Sequence, residues 1–571
     1  MAAGALRAGA DEEMKQATAS HQPRYKNSDA VDFVIVGSGA AGGVLAKELS
    51  SNGFSVVVLE QGPYIHENEF SHDEIKILQE DFLTNHPKLQ PNTFRKTPQE
   101  KAKPQRALVY GRAVGGTSNH FTANFWRFHE IDFIERSKLG PIAGSSFADW
   151  PIRYADLEPY YTKVEWEVGV SGLAGASPFD PPRSKPYPMP PLPVKGSGVI
   201  FERAARKLGW NPFPAPMAIL SEPRPGRSAC VNCGFCLGFG CEVKAKSSSL
   251  ASMIPLAEKS GKCEIRPNSY VHKIEVDERG RATGALYFDE RKAVHLQKAK
   301  AVIVSANGAE TPRLLLLSAS NRFPDGLANS SGQVGKNLMF NTAAVSVAVF
   351  DEPVNDYKGF AVSRLVHDFY ELDPQKVGFY GGGGMDARYD MTPIGFAFGG
   401  LPPGSPRWGR DYKAALIHNF PRTIEIFGHG TSLPVEDNSF SIDSDLTDAW
   451  GLPALRLTYK DHPDDIKLAH WLADRSGELL DAAGAKQKWT YPIGEQQFGV
   501  HLLGTCRMGN DPKASVINAD HQTHDVKNLF LCDGGSFVTS GRGQPTMTIM
   551  ALAFRAADRI MALAKRGDLN A

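Results

Sequence analysis

A glycine turn set between two apolar runs restricts this fold more than any other feature. Gly37, Ser38, Gly39, Ala40, Ala41 and Gly42 follow the run Asp32 to Val36 and open a helical pattern through Leu45 and Leu49, after which Phe54 to Leu59 forms a second apolar run. Strand, glycine turn, helix, strand is how a dinucleotide-binding βαβ unit begins. Gly37, Gly39 and Gly42 spell G-x-G-x-x-G, which lets backbone amides and the positive end of a helix approach a pyrophosphate. Glycines alone could serve close helix–strand packing. Glu60, 21 residues after Gly39, adds a carboxylate placed to accept hydrogen bonds from an adenosine ribose and to disfavour a 2′-phosphate.

The chain has 571 residues, enough for two to four domain-sized units or one cofactor-centred body with insertions. Lys and Arg total 63 and so do Asp and Glu, which gives no reason to expect nucleic acid as a partner. No run approaches the roughly 18 apolar residues of a membrane-spanning helix, and the N-terminus lacks the apolar centre of a secretion signal. Residues 1–30 are poor in large apolar groups and are expected to form a disordered tail. Pro-rich stretches at Pro178 to Pro193 and Pro212 to Pro225 mark linkers or insertions. Apolar runs on either side of a turn at Glu278, Arg279 and Gly280 predict an antiparallel pair between Tyr270 and Phe288, and Ala301 to Ser305 reads as a buried strand. Gly381 to Gly384 reads as a flexible loop. A helix from about Thr546 to Ala564 closes the chain, its cations towards the C-terminus where the helix dipole favours them.

Of seven cysteines, Cys230, Cys233, Cys236 and Cys241 fall within twelve residues as C-x2-C-x2-C-x4-C, with glycines that let the loop curl and bring thiolates to one centre. The spacing suits zinc and iron–sulfur equally. Cys263, Cys506 and Cys532 have no neighbours in sequence and read as small buried apolar groups.

Three further segments, Gly111 to Ser118, Gly308 to Leu314 and His501 to Gly509, stand in the order found in the glucose-methanol-choline (GMC) oxidoreductases. The chain from Asp32 to Leu563 resembles that family. The resemblance implies FAD rather than NAD, with Gly115, Gly116, Thr117 and Ser118 against the flavin and pyrophosphate. It puts the backbone of Val271 at the adenine, and Asp533 and Gly534 near the phosphates or ribityl chain. His120 falls where some pyranose-oxidising relatives attach the flavin covalently; packing beside the flavin ring is the plainer role. His501 matches the active-site histidine, and the chemistry explains it: hydride leaves an alcohol carbon readily only if the hydroxyl proton departs too, and a neutral imidazole can take that proton. The partner position, usually His or Asn, is Gln544 here; its amide can still orient a substrate oxygen, although the extra methylene moves it.

The architecture implied is α/β (α+β overall). A Rossmann-like FAD-binding domain comes from 31–150, 226–340 and 498–571, and a substrate-binding domain built on an antiparallel sheet comes from 151–225 and 341–497. Substrate contacts are expected from 341–497 and from residues near Trp126. By resemblance to multi-subunit sugar dehydrogenases, the cysteine loop implies an iron–sulfur cluster, 3Fe-4S or 4Fe-4S. A small partner subunit and a cytochrome or quinone acceptor are implied with it. Such small subunits carry an export signal, so a periplasmic location is expected through the partner, and a cytoplasmic one otherwise. Gln544 to Ile549 and the cysteine run look most like glucoside 3-dehydrogenases, which oxidise the C3 hydroxyl of glucosides and disaccharides. The alternatives are sugar oxidation at C1 or C2, or an oxygen-reducing sugar oxidase.

Overall fold

The computed structural model describes residues 24–569. Strand β1 (Val31–Val36), helix α1 (Ala40–Ser51) and strand β2 (Val56–Leu59) form the expected unit. The two strands run parallel, Phe33 beside Val56 and Val36 beside Leu59. Their continuous apolar character follows from cover on both faces of a parallel sheet. Gly42 allows α1 to lie this close, since a Cβ there would fall 2.0 Å from the carbonyl oxygen of Gly37.

Four more strands follow: β3 (Cys263–Arg266), the hairpin β4 (Tyr270–Val276) and β5 (Ala282–Phe288), and the long β6 (Val294–Val304). β6 joins two kinds of pairing. Its first half is antiparallel to β5, with Val294 opposite Phe288, and its second half is parallel to β1, with Val304 opposite Val36. The hairpin and the buried strand therefore share one sheet. The parallel strands run in the order β3-β2-β1-β6, and the short strand Leu529–Leu531 lies on the far side of β6. Chain order reverses between β1 and β6, so the loops at their C-terminal ends part and leave a crevice. Helix α2 (Asn307–Leu317) starts at one side of it and α1 at the other. The C-terminal helix Thr546–Arg566 packs on α1 and buries Met547, Met550, Phe554 and Ile560, so the two ends of the chain share one core.

Residues 1–23 of the expected tail lie outside the described residues. Residues 24–30 do not continue a tail: Tyr25 N donates to Glu264 at 2.9 Å and Arg266 donates to Asn27 at 2.7 Å, which docks this segment on β3.

The second layer is a six-stranded sheet centred on β7 (Thr342–Val349), β8 (Gly383–Arg388) and β9 (Thr423–Gly430). β9 lies between the other two and is antiparallel to both. Between β8 and β9 the chain leaves the sheet as helices α3 (Pro393–Gly399) and α4 (Gly409–Asn419). Helix α5 (Pro463–Ala483) covers the sheet with Leu468, Leu472, Leu479 and Leu480. Gly381 to Gly384 are the buried entry to β8 rather than a flexible loop. A Cβ on Gly383 would lie 2.0 Å from His429 O, so these glycines serve close strand packing. No helix among the described residues is long and apolar enough to cross a membrane.

Candidate active site

A cavity of about 620 Å³ fills the crevice where the two layers meet. From the first layer it is lined by Gly37, Gly39, Glu60, Gly116, Thr117, Ser118, His120, Val271, Asp533 and Gly534, and His501 and Gln544 close its other end. Gly42 and Gly115 lie behind this wall and shape it. Gly115 has φ +96°, and a Cβ there would strike Asn119 Oδ1 at 2.5 Å. One hydrogen-bonded chain joins three sequence-distant motifs: Gly115 N donates to Ser38 Oγ at 3.0 Å, and Ser38 Oγ donates to Glu60 Oε2 at 2.7 Å. Gly62 N holds the other carboxylate oxygen at 3.0 Å, and burial raises the Glu60 pKa above its ordinary value. Asp533 accepts from Thr311 Oγ1 at 2.5 Å and from Gly535 N at 2.7 Å, and burial pushes its pKa up to about 6.

The cavity has the features a dinucleotide needs. No side chain caps the first turn of α1, so its amides are free to face an anion. Ser305 Oγ, His120 Nε2 and both amide atoms of Asn124 are buried at the cavity wall without a hydrogen-bond partner among the described residues, donors and acceptors open to a ligand. Burial, followed by the nearby Lys246 ammonium, lowers the His120 pKa to about 4, so this ring is neutral.

At the other end, His501 Nδ1 lies 3.0 Å from Asn341 Oδ1. Asn341 directs its amide nitrogen to the carbonyls of Gly430 at 3.1 Å and Gly541 at 3.2 Å, so its oxygen must be the atom facing the ring. Nδ1 therefore carries the proton, and Nε2 is left as a lone pair with no partner among the described residues. Burial, then the positive charge of Arg388, lowers the His501 pKa to about 4, so the ring is a proton acceptor at neutral pH. The loop that holds Asn341 is strained, with φ +67°, a conformation uncommon for non-glycine residues. The Gln544 amide makes no hydrogen bond with any described residue and faces the same cavity.

Three side chains from the sheet complete this end: Arg388 and Asp390 at the exit of β8, and Phe427 on β9. Arg388 is paired with Asp386 through Nε at 2.6 Å and stacks 4.1 Å from the Phe427 ring centroid. All three lie within 341–497, the stretch expected to meet substrate. No motif distinguishes them, or Asn341, in the sequence. Trp126 stands behind this wall, buried beside His429 at 5.1 Å between ring centroids.

Two profiles of the GMC oxidoreductases match the chain, an N-terminal one over residues 31–343 and a C-terminal one over 434–553. The chain is a GMC oxidoreductase. It is 36% identical to a 2-methyl-1,2-propanediol dehydrogenase of Mycolicibacterium austroafricanum, covering 94% of this chain and 96% of that one. It is 31% identical to the fructose dehydrogenase large subunit of Gluconobacter japonicus (94% and 98% covered) and 28% identical to the gluconate 2-dehydrogenase flavoprotein of Pantoea cypripedii (93% of each). The fold matches pyridoxine 4-oxidase from Mesorbium loti at TM-score 0.62 and 16% identity, covering 93% of this chain and 99% of that one. This GMC protein is thus an FAD-dependent oxidoreductase acting on CH–OH groups, related to sugar dehydrogenases.

The cysteine loop of this GMC oxidoreductase touches the cavity, to which Leu237 and Gly238 contribute, and Gly238 N donates to His120 O at 2.8 Å. The convergence expected of Cys230, Cys233, Cys236 and Cys241 is not seen. Among the described residues no three His, Cys, Asp or Glu side chains are placed to hold a metal ion. The thiols are engaged locally instead: Cys230 Sγ accepts from Asn232 N and Cys241 Sγ from Lys246 N, each at 3.5 Å, while Cys233 is exposed. The Lys246 ammonium is buried in the loop, where it donates to the carbonyls of Phe121, Cys236 and Phe239. Cys263, Cys506 and Cys532 are buried, as expected of small apolar groups.

Proposed function

We propose that this enzyme is a dehydrogenase that oxidises a secondary hydroxyl of a carbohydrate, with C3 of glucosides and disaccharides the favoured position. The observation that carries the reading is the locked tautomer of His501 in the cavity that also holds the glycine fingerprint. FAD, when bound along Gly37, Gly39, Glu60 and Gly115 to Ser118, supplies the hydride acceptor. His501 accepts the hydroxyl proton at Nε2, and Asn341 keeps that nitrogen unprotonated beforehand. Gln544 offers one donor and one acceptor group to the substrate oxygen. Arg388 and Asp390 add a cation and a carboxylate, a set suited to the several hydroxyls of a sugar ring.

The test is anaerobic flavin bleaching with methyl glucoside, glucose, gluconate, fructose and 2-methyl-1,2-propanediol, with products identified by NMR. Methyl glucoside should bleach the flavin and give a 3-keto sugar. Conversion of glucose to its lactone alone, with methyl glucoside untouched, would place the reaction at C1 and end the C3 reading. The diol dehydrogenase among the relatives supports a second reading, a small branched diol as substrate, which the same panel separates.

We extend the proposal to the acceptor side. Four cysteines within twelve residues, on a loop that reaches the cavity, are what supports an iron–sulfur centre with Cys230, Cys233, Cys236 and Cys241 as its ligands, and since the thiols do not converge in this structure the loop would have to rearrange around the cluster. A relative that is a large subunit supports a partner subunit here; to that partner we add a cytochrome or quinone acceptor and export to the periplasm. Iron and labile sulfide near zero, with stoichiometric peroxide from oxygen, would instead identify an oxidase.

A further inference from the structure

The chain that brings Arg388 and Asp390 to the cavity does not return to the sheet until Thr423. Between them, α3 and α4 form a small module with a core of its own, Tyr389, Phe396 and Leu401 packed by Tyr412, Leu416 and Phe420. The module is tied to the cavity rim: the Glu74 carboxylate accepts from Ile394 N at 3.0 Å and Gly395 N at 3.2 Å, and also from Thr392 Oγ1. Tyr412 OH joins the two helices by donating to Ala397 O at 2.7 Å.

The outer side of this module has no work to do in the fold. No residue of α4 is buried. Trp408 is 85% exposed, and Phe398 and Ile417 are 77% exposed, the three highest values for large apolar side chains among the described residues. One such side chain on a surface is ordinary, but three on one short module outside the core mark an interaction site.

Charge indicates what covers it. The whole chain is balanced at 63 cations and 63 anions, yet Arg407 to Lys413 carries Arg407, Arg410 and Lys413 against Asp411 alone. Arg410 forms an ion pair with Asp411 alone among the described residues, at 3.7 Å, and Arg407 and Lys413 form none there. Free cations interleaved with an exposed indole and aliphatic side chains suit a phospholipid headgroup layer, where aromatic rings sit at the interface and cations meet phosphates. A protein interface shares the enrichment in Arg and aromatic side chains but depletes Lys, so a second protein is the rival occupant that the experiment below separates from lipid. Apolar exposure also continues to the cavity mouth, where Leu78, in the turn after Glu74, is 38% exposed, Leu237 44% and Val500 50%.

We infer that the α3–α4 module is an interfacial anchor that docks the enzyme peripherally on an anionic lipid bilayer. The experiment is flotation of the purified holoenzyme with vesicles of phosphatidylcholine alone and with phosphatidylglycerol added. The enzyme should float with the anionic vesicles and be released by salt. The variant R407Q/R410Q/K413Q should lose roughly a hundredfold in partitioning, since each cation near such a surface contributes about fivefold. F398S/W408S should lose binding as well. Both variants should keep the melting midpoint and the dye-linked activity in solution, because none of these residues lines the cavity. The inference falls if the wild type ignores anionic vesicles, or if neither variant alters binding. It falls equally if light scattering shows a dimer that F398S/W408S converts to monomer.

Discussion

Asn341 offers a way to test the catalytic histidine without touching it. The residue accepts from His501 Nδ1 at 3.0 Å and is itself held by carbonyls of Gly430 and Gly541. Because its φ is +67°, glycine is the replacement that keeps the backbone unstrained. Asn341→Gly leaves a shielded N–H without its acceptor, a loss of about 1–3 kcal/mol. If that loss falls on the reacting state, substrate-dependent flavin reduction slows about 5- to 150-fold. Asn341→Asp tests the electrostatics. His501 has a pKa near 4 through burial and Arg388, and it works as a neutral base, so the wild-type rate is full above that pH and falls as pH drops through it. A carboxylate beside Nδ1 stabilises the imidazolium and raises that pKa by about 1–3 units, moving the acid limb up by the same amount. Anaerobic stopped-flow bleaching across the acid range measures both effects, with melting midpoints as the control for folding. A Gly variant that reduces flavin at the wild-type rate, together with an unmoved acid limb in the Asp variant, would refute the assigned role.

Three further outcomes are expected. Gly42→Ala places a methyl group 2.0 Å from Gly37 O, so α1 must shift; the purified protein should carry less flavin per chain, read from its absorption ratio, and full flavin content would contradict the packing role. Gln544→Ala removes an amide with no hydrogen-bond partner among the described residues, so stability should hold within about 0.5 kcal/mol while kcat/KM for substrate falls; an unchanged kcat/KM would remove Gln544 from the site. Arg542 pairs with buried Asp132 and Glu135, each at 2.6 Å. Arg542→Met should destabilise by about 3–5 kcal/mol in denaturant titration. Burial already holds the Glu135 pKa up to about 7, so the folded state binds more protons than the unfolded one below that pH. Stability is therefore lost as pH rises through that value, and the variant's deficit should shrink on acidification; a deficit that grows there would refute the pairing.

The sequence alone carried several features set by near neighbours in the chain. The βαβ opening, the hairpin around Gly280 and the closing helix were legible because glycine placement and apolar period act over a few residues. His501 and Gln544 were legible only as parts of short motifs. Tertiary structure decided what those motifs face. Asn341 lies 160 residues from the imidazole it holds, and β7 places it there through a strained backbone angle that leaves no mark in composition. Arg388 reaches the cavity because β8 pairs with β9, and the glycines before it read as a loop until the neighbouring strand fills the space where their side chains would be. The cysteines show the opposite limit. Spacing along a loop permits thiols to meet, but which atoms they touch is settled by the amides and the buried Lys246 ammonium around them. Local pattern is written by covalent neighbours, whereas contact between distant segments depends on sheet register, which the chain acquires only on folding.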